Sequence, residues 1–373
     1  MRKTALILLF TVVSFSFLGN APYISNNEIV NVCEDDSLYF ATLIFAGDIM
    51  GHMPQIKAAY NKDSDNYDFR PCFAYLKPYI ETADIAVANL EVPLAGKPYS
   101  GYPNFSSPDA LFEDAVWAGF DIMLLANNHA ADKGKVGIEK TIKTVSEQTK
   151  YAGVYLNASQ RDSLYPLMYE VKGMKIALLN CTYDTNSNPV YEPQIVNLID
   201  TAQIRMDVDT AKARKADFII MAIHWGKEYK LKADATQQQL AAYFAKLGVD
   251  LIIGSHPHVV QNFDYVYKQD STQVPVYYSL GNFVSNQRKL HTDGGIMAKI
   301  IVDTKTHTIQ SCSYIPYYVH RGEIEEKYQY YLLPTDDYLS DKLNVVLPQT
   351  QDSLLRVFDT NTRKRLFNLQ LAK

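Results

Sequence analysis

The stretch Leu251-Ile252-Ile253-Gly254-Ser255-His256-Pro257-His258 is a short apolar run that ends in a glycine and then two histidines around a proline. A run of this length bounded by turn residues reads as a buried strand. The same design recurs upstream. Asp48 follows Leu43-Ile44-Phe45-Ala46-Gly47, Glu91 follows Ala86-Val87-Ala88-Asn89-Leu90, Asn128 and His129 follow Met123-Leu124-Leu125-Ala126, and His224 follows Ile219-Ile220-Met221-Ala222-Ile223. In α/β sheets, the crevice beyond the carboxyl ends of the strands is where ligands collect. Any one of these residues alone reads as a turn residue, a helix cap or a core histidine. Five strand ends carrying only Asp, Glu, Asn and His read as one site.

Working outward, strand-like runs are expected at 41–46, 85–89, 122–126, 175–180, 218–223, 251–254 and 276–280. Segments with helical spacing lie between several of them, at 108–118, 136–149, 201–215 and 235–247. That alternation predicts an α/β layered domain with buried sheets. The runs 165–171 and 174–179, joined through Lys172-Gly173, read instead as an antiparallel hairpin, as do 296–302 and 309–319 on either side of Lys305. A mixed sheet, or two sheets face to face, fits better than a purely parallel one.

Asp48, Glu91, Asn128, His224, His256 and His258 form a mixed nitrogen and oxygen donor set, which suits Zn, Mn or Fe better than Ca or Mg. An extended backbone across His256-Pro257-His258 would send both rings to one side, to serve two adjacent metals or to clamp one. Gly47 and Gly254 allow close backbone approach. Two divalent ions about 3.5–4 Å apart can activate water and neutralise charge on both reacting oxygens. Two anionic ligands leave such a centre electropositive, so an anionic substrate is expected. His129 is placed to donate a proton to the leaving group. His52 either completes the first metal's shell or lies outside it.

The 373-residue chain is 47% hydrophobic and 21% charged, enough to bury a sizeable core. Its net charge of −5 argues against a general nucleic-acid binder. Arg2 and Lys3 precede an apolar run at 5–18 and then Gly19-Asn20-Ala21, so residues 1–21 are expected to be a secretory signal or an uncleaved anchor. The protein is accordingly expected to be exported, to the periplasm, the exterior or a membrane-anchored place in the cell envelope. Residues 22–38 read as a polar linker, 39–320 as the main domain and 321–373 as a C-terminal extension of unread role. Cys33, Cys72, Cys181 and Cys312 show no metal-binding or redox spacing. The 27 tyrosines read chiefly as strand packing, although Tyr-rich surfaces also line polymer grooves.

Several uncommon strings now stand in one order: Ala46-Gly47-Asp48, Ala88-Asn89-Leu90-Glu91, and Leu125-Ala126-Asn127-Asn128-His129 with Asp132 and Gly134. They continue with His224-Trp225-Gly226-Lys227-Glu228-Tyr229, Gly254-Ser255-His256-Pro257-His258-Val259 and Tyr278-Ser279-Leu280-Gly281-Asn282-Phe283. The order resembles the calcineurin-like metallophosphoesterases, and more closely the CapA family of capsule and poly-γ-glutamate biosynthesis proteins, over roughly residues 42–287. The resemblance implies an α/β/β/α four-layer sandwich with two central mixed sheets, binding two divalent metal ions. By position, Asp48 and His258 would hold the first metal, Glu91 would bridge, and Asn128, His224 and His256 would hold the second, with His129 as the acid. Asn127, Glu228, Ser255 and Asn282 would support these ligands. Phosphoesterases usually carry a histidine two residues after the first Asp. Here that residue is Met50, so the centre could instead be mononuclear.

Three functions are open: a secreted metal-dependent hydrolase of phosphoester type, an envelope protein needed to make, attach or export an anionic polymer such as poly-γ-glutamate, as the family resemblance implies, or a non-catalytic polymer-binding protein. In the second, the metal site could bind carboxylates or cleave a γ-glutamyl amide, beside membrane-bound capsule-synthesis partners. The chain carries no ATP-grasp or P-loop pattern, so ATP-driven amide synthesis would depend on such partners.

Overall fold

The computed structural model describes residues 22–25, 28–31, 39–324 and 326–371. The chain divides into two compact units, Met1–Leu38 and Tyr39–Lys373. In the first, Pro22–Ser25 and Glu28–Asn31 pair as an antiparallel hairpin inside the stretch read as a linker. The expected signal or anchor lies outside the described residues, among which no helix is long and apolar enough to cross a membrane.

The second unit is built on strands β1 (Phe40–Ile49), β2 (Ile85–Leu90), β3 (Ile122–Leu124), β4 (Lys150–Ala152), β5 (Leu167–Val171), β6 (Met174–Thr182), β7 (Phe218–His224) and β8 (Leu251–Ser255). These are followed by β9 (Phe263–Tyr267), β10 (Gln273–Tyr277), β11 (Asn282–Val284), β12 (Gly294–Asp303), β13 (Thr308–Ile324), β14 (Lys327–Pro334) and β15 (Gln370–Leu371). One sheet has the order β5-β6-β7-β8-β10-β9. The other runs β14-β13-β12-β1-β2-β3-β4, with β11 also paired to β1 and β15 to β13. Both are mixed. In each, a parallel core (β1 through β4, and β6-β7-β8-β10) is flanked by antiparallel strands.

Alternation along the strands decides what packs where. Leu43, Phe45, Val87 and Leu124 of one sheet share a buried cluster with Ile176, Leu178, Ile220 and Ile253 of the other, so the sheets pack face to face. The intervening residues Ile44, Ala46, Ala88, Leu179 and Met221 join the outer core. That core also holds Leu111 and Phe112 of α1 (Asp109–Trp117), Ile138 of α2 (Gly134–Ser146), Val208 of α3 (Thr201–Ala213) and Phe244 of α4 (Ala235–Leu247). Helix, sheet, sheet, helix is the four-layer order, and each buried large aliphatic side chain contributes about 1.5–3 kcal/mol to it. Local signals fix the helix ends. Asp200 caps α3, and Asp234 and Gln237 form a reciprocal box at the start of α4, which ends at Gly248 in the left-handed region.

The boundary placed near residue 320 falls inside β13, which pairs with β14 on the far side of it. Leu355 and Phe358, in a last helix α5 (Gln349–Arg365), join the cluster between the sheets. The C-terminal segment is therefore part of the same packed unit. Cys72 and Cys181 are buried free thiols and Cys312 a half-buried one, in keeping with cysteines that serve packing.

Candidate metal centre

Because the central strands of each sheet run parallel, their carboxyl ends share one edge, and the predicted residues meet there. Asp48 ends β1 and Glu91 follows β2. His224 ends β7, and His256 and His258 follow β8. A register shift in β1 between Ala46 and Asp48 re-aims the carboxylate. The shift requires Gly47, because a Cβ there would stand 1.9 Å from the Gly281 carbonyl oxygen. Gly254 is needed for a similar reason, a Cβ there falling 2.1 Å from the Tyr278 carbonyl oxygen.

Two groups of potential ligands result, Glu91 with His224 and His256, and Asp48 with Glu91 and His258; within each, the ligand atoms lie within 4.8 Å of one another. Glu91 is common to both. Asn128 joins the first group through its Oδ1, 2.7 Å from His224 Nε2. The extended backbone expected across His256-Pro257-His258 does not occur. Both histidines have positive φ, +96° and +57°, and their rings, with centroids 5.9 Å apart, fall in different groups that meet at Glu91. Holding two such non-glycine conformations costs about 1–3 kcal/mol each. Hydrogen bonds from the Asn282 amide to the His258 carbonyl and from the His256 amide to Asp48 hold the turn.

The two groups have the electrostatics of an incomplete site. Both Glu91 carboxylate oxygens are buried without a hydrogen-bond partner, as is His256 Nδ1. His224 Nε2 stands 3.5 Å and His258 Nε2 3.9 Å from Glu91 Oε1, too far for hydrogen bonds. Burial, and then the Asp48 charge, push the Glu91 carboxyl well above its usual range. Burial also lowers His224 to about 3 and His256 well below an ordinary histidine, so both imidazoles are neutral and able to ligate. Asp48 is equally buried, yet its hydrogen bond to His258 and the nearby imidazoles hold it below the usual value. A buried, unpartnered carboxylate among neutral imidazoles is the donor set a divalent cation stabilises. The residues present fit such ions.

Three of the four residues expected to support the ligands lie beside the two groups. Ser255 Oγ lies 3.0 Å from His224 Nδ1, and Asn282 Oδ1 3.0 Å from His258 Nδ1. Asn127 reaches Asn89 and the Leu90 carbonyl and accepts from the His129 amide. Glu228, by contrast, is exposed at the rim. His52 joins neither group: its Nδ1 is 3.1 Å from Gln55 Oε1, and burial lowers it to about 4. Met50 is buried in the outer core. His129 Nδ1 lies 2.8 Å from buried Asp132 Oδ2, and its ring packs edge-on against Phe105. That leaves Nε2 as the nitrogen that can face a substrate.

Sequence reasoning missed several members. Asn89 donates to Asp48 Oδ1 at 2.8 Å and approaches His224 Nδ1 at 3.3 Å, tying the two groups together. Asn186 contacts both Asn128 and His129 from a loop with no strand signal. Tyr183, 41% exposed, leans on His256 with ring centroids 4.5 Å apart and forms one wall of the opening. It follows β6 directly, so the strand-end rule that picked out the candidate ligands could have found it too.

The four-layer order, with candidate ligands gathered at one edge, is a metallophosphoesterase-like fold. Residues 42–287 match the family model for the bacterial capsule synthesis protein PGA_cap, and the chain belongs to that family. It is 31% identical over 261 residues to the capsule biosynthesis protein CapA of Bacillus anthracis, covering 66% of this chain and 60% of that protein. The corresponding figures for the PGA biosynthesis protein CapA of Bacillus subtilis are 28% over 255 residues, 65% and 63%. The alignments thus span about three fifths of those relatives' length. Among solved structures, the Haemophilus influenzae NAD nucleotidase NadN superposes with a TM-score of 0.52 at 12% identity, covering 87% of this chain and 60% of that one, a likeness of fold alone.

Proposed function

We propose that this chain is an exported, metal-dependent hydrolase of capsule biosynthesis, acting on an anionic substrate through a phosphoester or a γ-glutamyl amide bond. The observation that carries it is Glu91, whose two buried oxygens lack partners at the junction of two ligand groups. Asp48, Glu91 and His258 would hold one divalent ion, and Glu91, Asn128, His224 and His256 a second, of Mn, Fe or Zn. Bound ions would polarise the scissile group and supply a nucleophile from water at neutral pH.

The chain's own residues do the rest. Asp132 orients the His129 ring through Nδ1, so that Nε2 can hold a proton for the leaving group. Ser255 and Asn282 fix the ring planes of His224 and His258. Two carboxylates against two divalent ions leave net positive charge, which favours an anionic substrate. Two relatives are named for capsule or PGA biosynthesis, which supports the polymer branch; in that branch the chain would work beside membrane-bound synthesis partners.

The test is elemental analysis of chelator-free protein, followed by turnover of a phosphodiester and a γ-glutamyl anilide. About two equivalents of metal per chain are expected, with activity that His129→Ala reduces by about 10²–10⁴ at unchanged metal content. One specific observation favours a second, binding-only reading: Met50 packs in the core and His52 turns to Gln55, leaving the Asp48 group with three ligands. Absence of metal after incubation with Mn or Zn would select that reading and overturn the first.

A further inference from the structure

A groove of about 620 Å³ lies beside the short helix Met53–Ala59, lined by Met53, Ile56, Lys57, Tyr60, Tyr67, Lys97, Pro98 and Tyr99. Its walls combine two features. Tyr67 packs against Tyr60 and Tyr99, with ring centroids 5.3 Å apart in each pair, and the Tyr60 hydroxyl is anchored on Asp65. Lys57 and Lys97 are both exposed, and neither has a hydrogen-bond or ion-pair partner among the described residues. Other lysines, such as Lys77, Lys172 and Lys268, hold a carboxylate, whereas these two ammonium groups are free to meet one from outside.

One loop connects the groove's wall with the surroundings of the metal centre. The 96–106 loop that carries Lys97 and Tyr99 approaches the helix so closely that a Cβ on Gly101 would stand 2.8 Å from the Met53 nitrogen. On the same loop, Phe105 packs edge-on against His52, at the start of the helix, and against His129. Tyr102 packs on Phe105 and is 74% exposed. Phe105 thus links the start of the helix beside the groove to the proposed proton donor.

We infer that this groove is a subsite for an extended polycarboxylate chain, with glutamyl-type side groups, that holds the polymer while one linkage lies at the metal centre. The lysines supply charge complementarity to repeating carboxylates, and the tyrosine faces supply apolar surface for the methylenes between them. A neutral glycan would use the tyrosines and leave both ammonium groups unanswered. A polyphosphate would use the lysines and leave the rings unused. The inference rests on the proposed function for what happens at the metals, but binding in the groove needs no metal.

The test uses the full chain after chelator treatment, titrated with a synthetic γ-linked glutamate decamer, a γ-glutamyl dipeptide, a polyphosphate of matched charge and a neutral oligosaccharide. The decamer is expected to bind more tightly than the other three. Lys57→Ala with Lys97→Ala, both on the surface and harmless to folding, should weaken the decamer about tenfold, and added salt should do the same. Tyr99→Ala should weaken the decamer and leave polyphosphate untouched. With metal restored, the double variant should turn over a small chromogenic substrate at the wild-type rate and raise KM for the decamer alone. Decamer affinity within twofold of wild type in the double variant, or polyphosphate or oligosaccharide binding as tightly as the decamer, would overturn the inference. If the restored protein lacks turnover but the groove behaves as stated, the hydrolase reading fails and this one stands.

Discussion

Replacing Glu91 by Gln should make the metal-free protein more stable and the metal-loaded protein less so. Both Glu91 oxygens are buried and unpartnered beside Asp48, and burial followed by that charge raises the Glu91 carboxyl above its unfolded value. A raised acid binds its proton more tightly in the folded state. Its contribution to stability is thus lost as pH climbs from the unfolded value, about 4.3, toward the folded one. The loss is at most the work of keeping the carboxyl protonated, about 1.4 kcal/mol per pH unit above 4.3, or about 4 kcal/mol at pH 7.5. An unsatisfied buried polar group sets the lower end at about 1–3 kcal/mol. For a unit of roughly 330 residues, an unfolding entropy of about 2.1 cal/mol/K per residue gives about 1.4 °C per kcal/mol. In chelator, Glu91→Gln should therefore melt about 2–6 °C above wild type at pH 7.5, with the gap closing near pH 4.5. Metal at about a thousand times its Kd should add about 4 kcal/mol, or about 6 °C, to wild type, and little to the variant. Thermal melts with and without Mn at both pH values decide it. A variant that melts lower than wild type in chelator and keeps the full metal shift would refute the reasoning.

Gly47→Ala should cost more than about 3 kcal/mol and abolish metal binding, because its Cβ would meet the Gly281 carbonyl at 1.9 Å; denaturant melts and metal content measure both. Ser255→Ala, which removes the partner of His224 Nδ1, should weaken metal affinity about 10–100-fold in a competitive chelator titration while leaving the fold intact. Leu178→Ala, in the cluster between the sheets, should destabilise by about 2–5 kcal/mol in urea without altering metal stoichiometry. In chelator, the depressed His224 should make stability fall with pH below about 6.5, where the unfolded imidazole takes up a proton that the folded one refuses until about pH 3. A stability that holds constant from pH 6.5 to 5 in Glu91→Gln would contradict that burial.

The parts of this protein that could be read from its sequence are those set by local periodicity. Runs such as 218–223 and 251–254 are strands because they are apolar on both faces, and the hairpin at Lys172-Gly173 follows from its turn. The α4 helix could be read to the residue because Asp234, Gln237 and Gly248 mark its ends. The candidate ligands could be picked out as strand ends, and the structure brings them together. The turn at His256-Pro257-His258 was not, since its positive φ values are imposed by Asp48 and Asn282 from other strands. His52 looked available because a histidine near Asp48 has the right chemistry. Its ring is instead committed to Gln55, three residues along the helix it begins. Asn89 was hidden for the opposite reason: an amide inside an apolar strand announces no partner until the neighbouring strand brings Asp48 beside it.

The long strand β13 has a practical consequence for anyone who trims this protein. The stretch that matches the capsule family ends at residue 287, before β12, yet β12 flanks β1 directly and β13 and β14 complete that side of the sheet. A fragment cut to the homologous stretch would begin inside β1 and strip β12 from it, leaving the mostly buried strand with unpaired amides and carbonyls along the side that β12 covers, only its end at Asp48 and Ile49 staying paired to β11. Such a fragment should pair with itself and precipitate. The stretch conserved with the relatives and the stretch able to fold are two different lengths of this chain, and expression trials should follow the longer one.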